Sequence, residues 1–464
     1  MSAAEQAIDN MTQAQAMPRI PPSGTETCPV GRVRIGVFFD GTNNSMYRDR
    51  ATDPHKPAAG VKNAITNVVK LYDVYQEEGT VLRRVYHHGV GTDSTAGNHG
   101  SADKVPDAAG NIGGAGGKAR VEWGLQQFAD FFSKNNNHLA KEKLFDTYGF
   151  SRGAAIARDF VNNVKTKGID NLKKPNGFKY RVIGVGEAAT VVREQAYERH
   201  NGLIPTFLGI FDTVASFGVA GMNAFNVDIG NVIAHYDMFV DHNYVRRTVH
   251  MVAEDEIRGN FPVTSIFMDP KDKDSWVPWT RRRYQDPKQF KGTMIELWYP
   301  GVHSDVGGSY FLSGGKPARP EQRHSYVDQF GMRQTVVIPA RPAVPPLKPD
   351  LSLIPLRDMH KASLRAEVPL GGLSSTQGPD DMERWYAEYD AFRSGQPYAL
   401  NKQYIQTFEN LQYIMLYYGP REHHPAIVNL KTHYIHDSRW IHDKLLLRTQ
   451  RTVLYMGPQP TPSR

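Results

Sequence analysis

Gly149-Phe150-Ser151-Arg152-Gly153 constrains the chain path more narrowly than any other stretch of the sequence. Before it, Leu144-Phe145-Asp146-Thr147-Tyr148 is strand-like. After it, Ile156, Phe160 and Val164 recur on one helical face, while Gly153, Ala154 and Ala157 allow close packing. A G-x-S-x-G pentapeptide between a strand and a helix predicts a sharp, strained turn that exposes the serine, with glycines where side chains would collide. Such a turn needs a sheet whose strands end on a common rim, so the rest of the chain must supply parallel neighbours.

It does. Val33–Phe39, Val81–His87, Leu144–Phe150, Phe207–Phe211, Thr248–Val252 and Met294–Tyr299 read as strands, several of them continuously apolar as central parallel strands are. Ala119–Phe132 lies between two of them with Val121, Leu125, Phe128 and Phe132 at helical spacing. This alternation predicts an α/β fold with helices on both faces of the sheet. Residues 1–30, rich in Ala, Gln, Met and Pro, read as a leader, and 31–315 as the main domain. Pro317, Pro320, Pro339, Pro342, Pro345, Pro346 and Pro349 mark 316–355 as a connector unsuited to regular helix or central strand. Residues 356–464 read as an extension packed on or near the main domain, helical around Leu356–Ala366 and Met382–Phe392.

A serine hydroxyl becomes a useful nucleophile when a histidine takes its proton and a carboxylate orients that histidine. On α/β folds with this turn the partners follow in the order Asp then His, each just past a strand. Asp212 in Ile210-Phe211-Asp212-Thr213 and His303 in Trp298-Tyr299-Pro300-Gly301-Val302-His303 fit. Asp255 also ends a strand-like run, and Asp212 alternatively caps the segment after it. Asp305 is a further candidate, for a neighbouring imidazole or a cation. Acyl transfer also needs oxyanion donors. The N–H of Arg152 is one, and the loop Asp40-Gly41-Thr42-Asn43-Asn44, through Gly41 and Thr42, offers the second.

Other chemistries lose a required residue. Asp40 sits in Phe38-Phe39-Asp40-Gly41-Thr42, close to an aspartyl-phosphatase motif, yet Phe38 occupies the nucleophile's place. Gly117-Lys118 hints at a P-loop, but Ile112 stands where the first glycine belongs and Ala119 where Ser or Thr does. Gly110–Gly117 reads instead as a flap. One cysteine, Cys28, rules out an internal disulfide or a cysteine-based metal site, and no metal or cofactor motif is present; His433 and His436 form a weak metal-like pair better read as ordinary histidines. With 55 Lys and Arg against 48 Asp and Glu, the net charge of +7 favours anionic surfaces, while the absence of any nucleic-acid motif argues against nucleic acid. The polar start, with Glu5 and Asp9, predicts no cleaved secretory signal and synthesis in the cytoplasm. Pro205–Phe225 is the most apolar stretch, read as buried strand and loop, with Val214–Phe225 a candidate lipid-facing patch.

Four motifs together resemble one family: Val37-Phe38-Phe39-Asp40-Gly41-Thr42-Asn43, Gly149-Phe150-Ser151-Arg152-Gly153-Ala154, Phe211-Asp212-Thr213-Val214, and Glu296 through Gly308. The chain is similar over residues 33–312, and more loosely through Pro355–His360, to the α/β-hydrolase domain of type VI secretion lipase effectors, the first of the antibacterial phospholipase families. The resemblance implies an α/β-hydrolase-like, mainly parallel sheet flanked by helices, with a mostly helical C-terminal extension. It implies a phospholipase A-type esterase with Ser151 as nucleophile, Asp212 as triad carboxylate and His303 as base; no cofactor is expected from the sequence. It further implies delivery by a secretion spike or tube component into the envelope of a competing bacterium, a phospholipid membrane as target, and an immunity protein in the producer. A soluble carboxylesterase or thioesterase, or a non-catalytic toxin scaffold, are the alternatives.

Overall fold

The computed structural model describes Ile8 and residues 31–50, 53–55, 63–92, 115–134, 137, 140–169, 175–183, 190–197, 202–214, 236–256, 261, 263–266, 293–312, 322–327, 333–338, 346–374, 377–395, 405–408, 411–415, 424–436 and 452–454. Its centre is a six-stranded sheet of β1 (Arg32–Phe39), β2 (Leu82–His87), β3 (Glu142–Phe150), β4 (Leu203–Phe211), β5 (Thr248–Ala253) and β6 (Met294–Tyr299), ordered β2-β1-β3-β4-β5-β6. Every pairing in it is parallel. All six strands coincide with the apolar runs of the sequence.

Side chains alternate between the two faces. Val37 and Phe39 enter one core cluster with Phe128 and Phe132 of α2 (Ala115–Ser133) and Ala154, Ile156 and Phe160 of α3 (Arg152–Lys167). Phe38 enters the other, with Val68, Val69 and Leu71 of α1 (Asn67–Val74). That second layer is completed from the C-terminal part, by Leu356 and Met359 of α5 (Leu353–Arg365), Tyr386 and Tyr389 of α6 (Asp380–Gly395), and Ile427 and Leu430 of α7 (Pro425–His433). A five-residue helix, α4 (His303–Gly307), precedes them. The C-terminal helices are therefore one of the two layers that bury the sheet.

A charge in the sheet interior is fully answered. Arg34 forks Asp146 at 2.7 and 2.8 Å, and the hydroxyls of Tyr75 and Thr206 donate to the same carboxylate at 2.9 and 2.7 Å. Such a network satisfies every buried oxygen, as burial of charge requires. It sits where β3 slips register against β4, between Phe145 and Asp146.

The Pro-rich segment differs from its reading: 322–327 and 333–338 pair as an antiparallel hairpin, and α5 starts inside it at Leu353. Pro355 is tolerated because it lies in that helix's first turn, where no intrahelical bond is lost. Other small sheets are the hairpin 175–183 with 190–197, and strands 405–408, 411–415 and 452–454 beside 263–264. Ile8, the one described residue of the leader, is buried in the core. The flap reading fails for Ala115–Gly117, which open α2; residues 110–114, and Val214–Phe225 beyond Val214, lie outside the described residues. Among the described residues no helix is long and apolar enough to cross a membrane.

Candidate active site

β2 is added on one side of β1 and β3 on the other, so the order of strand addition reverses between β1 and β3. In open α/β sheets the crevice outside the carboxyl ends of strands at such a reversal receives the ligand. Ser151 leaves β3 and Asp40-Gly41-Thr42 leaves β1 at that point.

Ser151 has φ 59 and ψ −125, a region that costs a non-glycine residue about 1–3 kcal/mol. The surrounding backbone enforces it. Its N–H donates to Phe211 O at 3.0 Å, and its carbonyl accepts from Ala154 N at 3.1 Å and Val214 N at 3.3 Å. A Cβ on Gly149 would meet Gly153 O at 2.4 Å, and one on Gly153 would meet Phe39 O at 2.3 Å. Both glycines are thus fixed by contact, and the head of α3 sits directly on the end of β1. Ser151 is 4% exposed.

Asp212 follows β4, the strand beside β3, and also has a positive φ of 39. Its N–H donates to Met251 O at 2.7 Å and its Oδ1 accepts from Ala253 N at 3.0 Å, so two β5 peptides hold it. Its Oδ2 lies 2.6 Å from His303 Nδ1. That contact places the proton on Nδ1 and leaves Nε2 with its lone pair, the tautomer a general base needs. His303 opens α4 after β6, its N–H 3.3 Å from Glu256 Oε2. Its ring lies between Phe150, the residue before the serine, with centroids 4.6 Å apart, and Phe261, with centroids 4.9 Å apart. The structure thus brings Asp212 and His303 into contact, and sets the imidazole at a tilt against the neighbour of Ser151.

The loop after β1 divides its donors. Gly41 N–H turns inward to Asp40 Oδ1 at 2.8 Å and is committed there. The N–H of Thr42 keeps no partner among the described residues, and its hydroxyl accepts from Arg152 Nη1 at 3.0 Å. Asp40 also accepts from Thr66 Oγ1 at 2.8 Å and Tyr86 OH at 2.6 Å. Burial outweighs these bonds and pushes its pKa up to about 6. Burial lowers that of Arg152 to about 10, so the guanidinium stays charged at neutral pH.

The remaining candidates have structural partners. Asp255 accepts from Gly301 N at 2.7 Å and faces Lys431 at 3.6 Å. Asp305 lies 2.6 Å from His436 Nδ1, a histidine to which the sequence assigns no role, while His433 stacks on Trp385. A second buried pair underlies Asp212. Thr213 N–H donates to His250 Nε2 at 3.0 Å, so His250 must carry its proton on Nδ1, 3.0 Å from Glu296 Oε2; Ser265 and Ile266 N complete that carboxylate. Alternation along Thr248-Val249-His250 was the available signal, since it puts a histidine inside the sheet. Phe261 gave no signal. Among the described residues no group of three or more His, Cys, Asp or Glu could hold a metal ion.

A family model described as the catalytic domain of Tle1-like phospholipase effectors of the type VI secretion system matches residues 34–327. No curated protein matches the chain. Among solved structures, the chain is similar to an uncharacterized protein from Pseudomonas aeruginosa at 19% identity and a TM-score of 0.46, covering 85% of this chain but 54% of that one. It spans about half the length of that relative. It is also similar to the Tle1 effector solved bound to the VgrG spike of the type 6 secretion system, at 17% identity and a TM-score of 0.48, covering 97% of this chain and 94% of that one.

Proposed function

The chain belongs to the Tle1-like phospholipase effectors of the type VI secretion system, and from that premise we propose that it is a serine hydrolase that cuts acyl esters of membrane phospholipids. The observation that carries this reading is the 2.6 Å contact between Asp212 Oδ2 and His303 Nδ1, on the same sheet rim as a serine held in strained backbone.

His303 Nε2 takes the proton as Ser151 Oγ attacks the ester carbonyl, and Asp212 stabilises the imidazolium through Nδ1–H. Charge that collects on the carbonyl oxygen is met by the N–H groups of Thr42 and Arg152, with the N-terminus of α3 adding its partial positive charge. As the tetrahedral centre collapses, His303 returns the proton to the departing lysophospholipid alkoxide. Water then attacks the acyl-serine, giving up its proton to the same nitrogen; as the second tetrahedral centre collapses the bond to Ser151 Oγ breaks, His303 returns that proton to the serine oxygen, and the fatty acid leaves. The guanidinium of Arg152, one residue from the nucleophile, suits a substrate whose phosphate lies near the scissile ester. Asp40, Asp255 and Asp305 act as scaffold, and no cofactor enters. Residues 31–315 are read as the catalytic domain, supported on one face by helices from 356–464. Partners on this reading are a phospholipid membrane, a spike protein of the kind bound by the solved Tle1 effector, and an immunity protein in the producing cell. The chain is made in the cytoplasm and acts at the envelope of the target cell.

The test is lipid product analysis with a fluorophosphonate probe. Wild type is expected to release fatty acid and lysophospholipid from vesicles and to take up the probe. Ser151→Ala should lose the label and about four or more orders of magnitude of turnover. Equal labelling of Ser151→Ala overturns the nucleophile; strong preference for short soluble esters overturns the phospholipid substrate.

A further inference from the structure

Helix α4 carries His303 on five residues, too few to hold a helix without outside support. Asp255 takes the N–H of Gly301, Glu256 that of His303, and Asn67 Nδ2 donates to Val306 O at 2.9 Å. Two residues after the histidine stands Asp305, whose carboxylate ties the helix to the C-terminal part. Its Oδ2 accepts from Val302 N and from His436 N, both at 3.0 Å, and its Oδ1 meets His436 Nδ1 at 2.6 Å. Tyr310 stacks on the His436 ring with centroids 4.2 Å apart. The same layer reaches the preceding acidic run: Tyr389 of α6 donates to Glu254 at 2.7 Å, and Lys431 of α7 faces Asp255. Glu254, Asp255 and Asp305 are therefore each held by a residue of the C-terminal layer. Burial alone would lower the pKa of His436; the charge of Asp305 and its hydrogen bond outweigh this, and the net shift is upward.

We propose that His436 is a positioning residue for the hydrolysis read above: it clamps Asp305 and so fixes the short helix that presents His303, which makes the C-terminal layer part of the active site. The inference rests on the serine-hydrolase reading of Ser151, Asp212 and His303. His436 touches neither substrate nor those three groups, so its effect must pass through the placement of the imidazole. Loss of the clamp should then slow the proton-transfer steps and leave lipid binding alone.

The experiment compares wild type, His436→Ala, and the paired variant His436→Gln with Asp305→Asn, in which an amide N–H and an amide oxygen can restore the contact. Active-site concentration is titrated with fluorophosphonate, and kcat and KM are measured on vesicles of phosphatidylethanolamine and phosphatidylglycerol. Expected for His436→Ala is a fall in kcat and in probe acylation rate by roughly tenfold or more, with KM within about twofold. The paired variant should regain most of that loss. His436→Ala with wild-type kcat per titrated site overturns the proposal, even if its Tm is lower, because the residue would then serve stability alone. A paired variant as slow as His436→Ala also overturns it. Wild type that takes up no probe instead refutes the underlying hydrolase reading, and does so without reference to any variant.

Discussion

Asp40 shows how a residue beside the site can work against stability. Its carboxyl accepts three hydrogen bonds, yet burial raises its pKa from 3.8 to about 6. Between those values the folded chain holds a proton that the unfolded chain has released, so stability falls as pH rises from about 4 to about 6. The shift of roughly two pKa units corresponds to about 3 kcal/mol at most. Asp40→Asn keeps an oxygen to accept from Gly41 N–H and Thr66 while removing the titration. Thermal melts at stepped pH should therefore show a flatter profile for Asp40→Asn over that window and a Tm raised by a few degrees at pH 7. A variant that still tracks wild type from pH 4 to 6 would place the titration elsewhere. What was legible from sequence is placement at strand ends: the strained turn at Ser151 and the contact between Asp212 and His303. His436 and His250 were not, because their meaning comes from partners 131 and 46 positions away, Asp305 and Glu296, and nothing in the local pattern names those partners.

At the scale of elements, the inner strands of the central sheet were readable because parallel strands buried on both faces must be apolar nearly throughout; the edge strand β2, with Arg83 and Arg84, keeps a weaker signal. α2 and α3 were readable because each must keep one apolar stripe. The hairpin at 322–338 was hidden by prolines that bound it at 317, 320 and 339 and leave its strands uninterrupted. The unit with least tolerance is the turn between β3 and α3. A side chain at Gly153 would run into the carbonyl oxygens of Phe39 and Asp40, which are backbone and cannot rotate away. Gly153→Val is expected to destabilise the fold by about 3 kcal/mol or more, read as a lowered midpoint in chemical denaturation with the slope unchanged. A midpoint equal to that of wild type would mean that α3 can shift off β1 at little cost.

For the molecule as a whole, the net charge of +7 is a property of the surface rather than of the fold. If it contributes to docking on anionic lipid, affinity for phosphatidylglycerol-containing vesicles should fall as salt rises from low to physiological ionic strength, where the Debye length shrinks to about 8 Å. Sedimentation of vesicles with bound protein measures this directly, and salt-insensitive binding would assign docking to apolar contact alone. The sheet also imposes an order on synthesis. Ser151 and Asp212 leave β3 and β4, whereas His303 leaves β6, the outermost strand on that side, and its helix is tied to residues as late as His436. A ribosome that has released β1 to β5 therefore displays the alcohol and the acid without their base. On the proposed reading, the triad stays incomplete until β6 has emerged, and the helix that carries its base stays unclamped until His436 has.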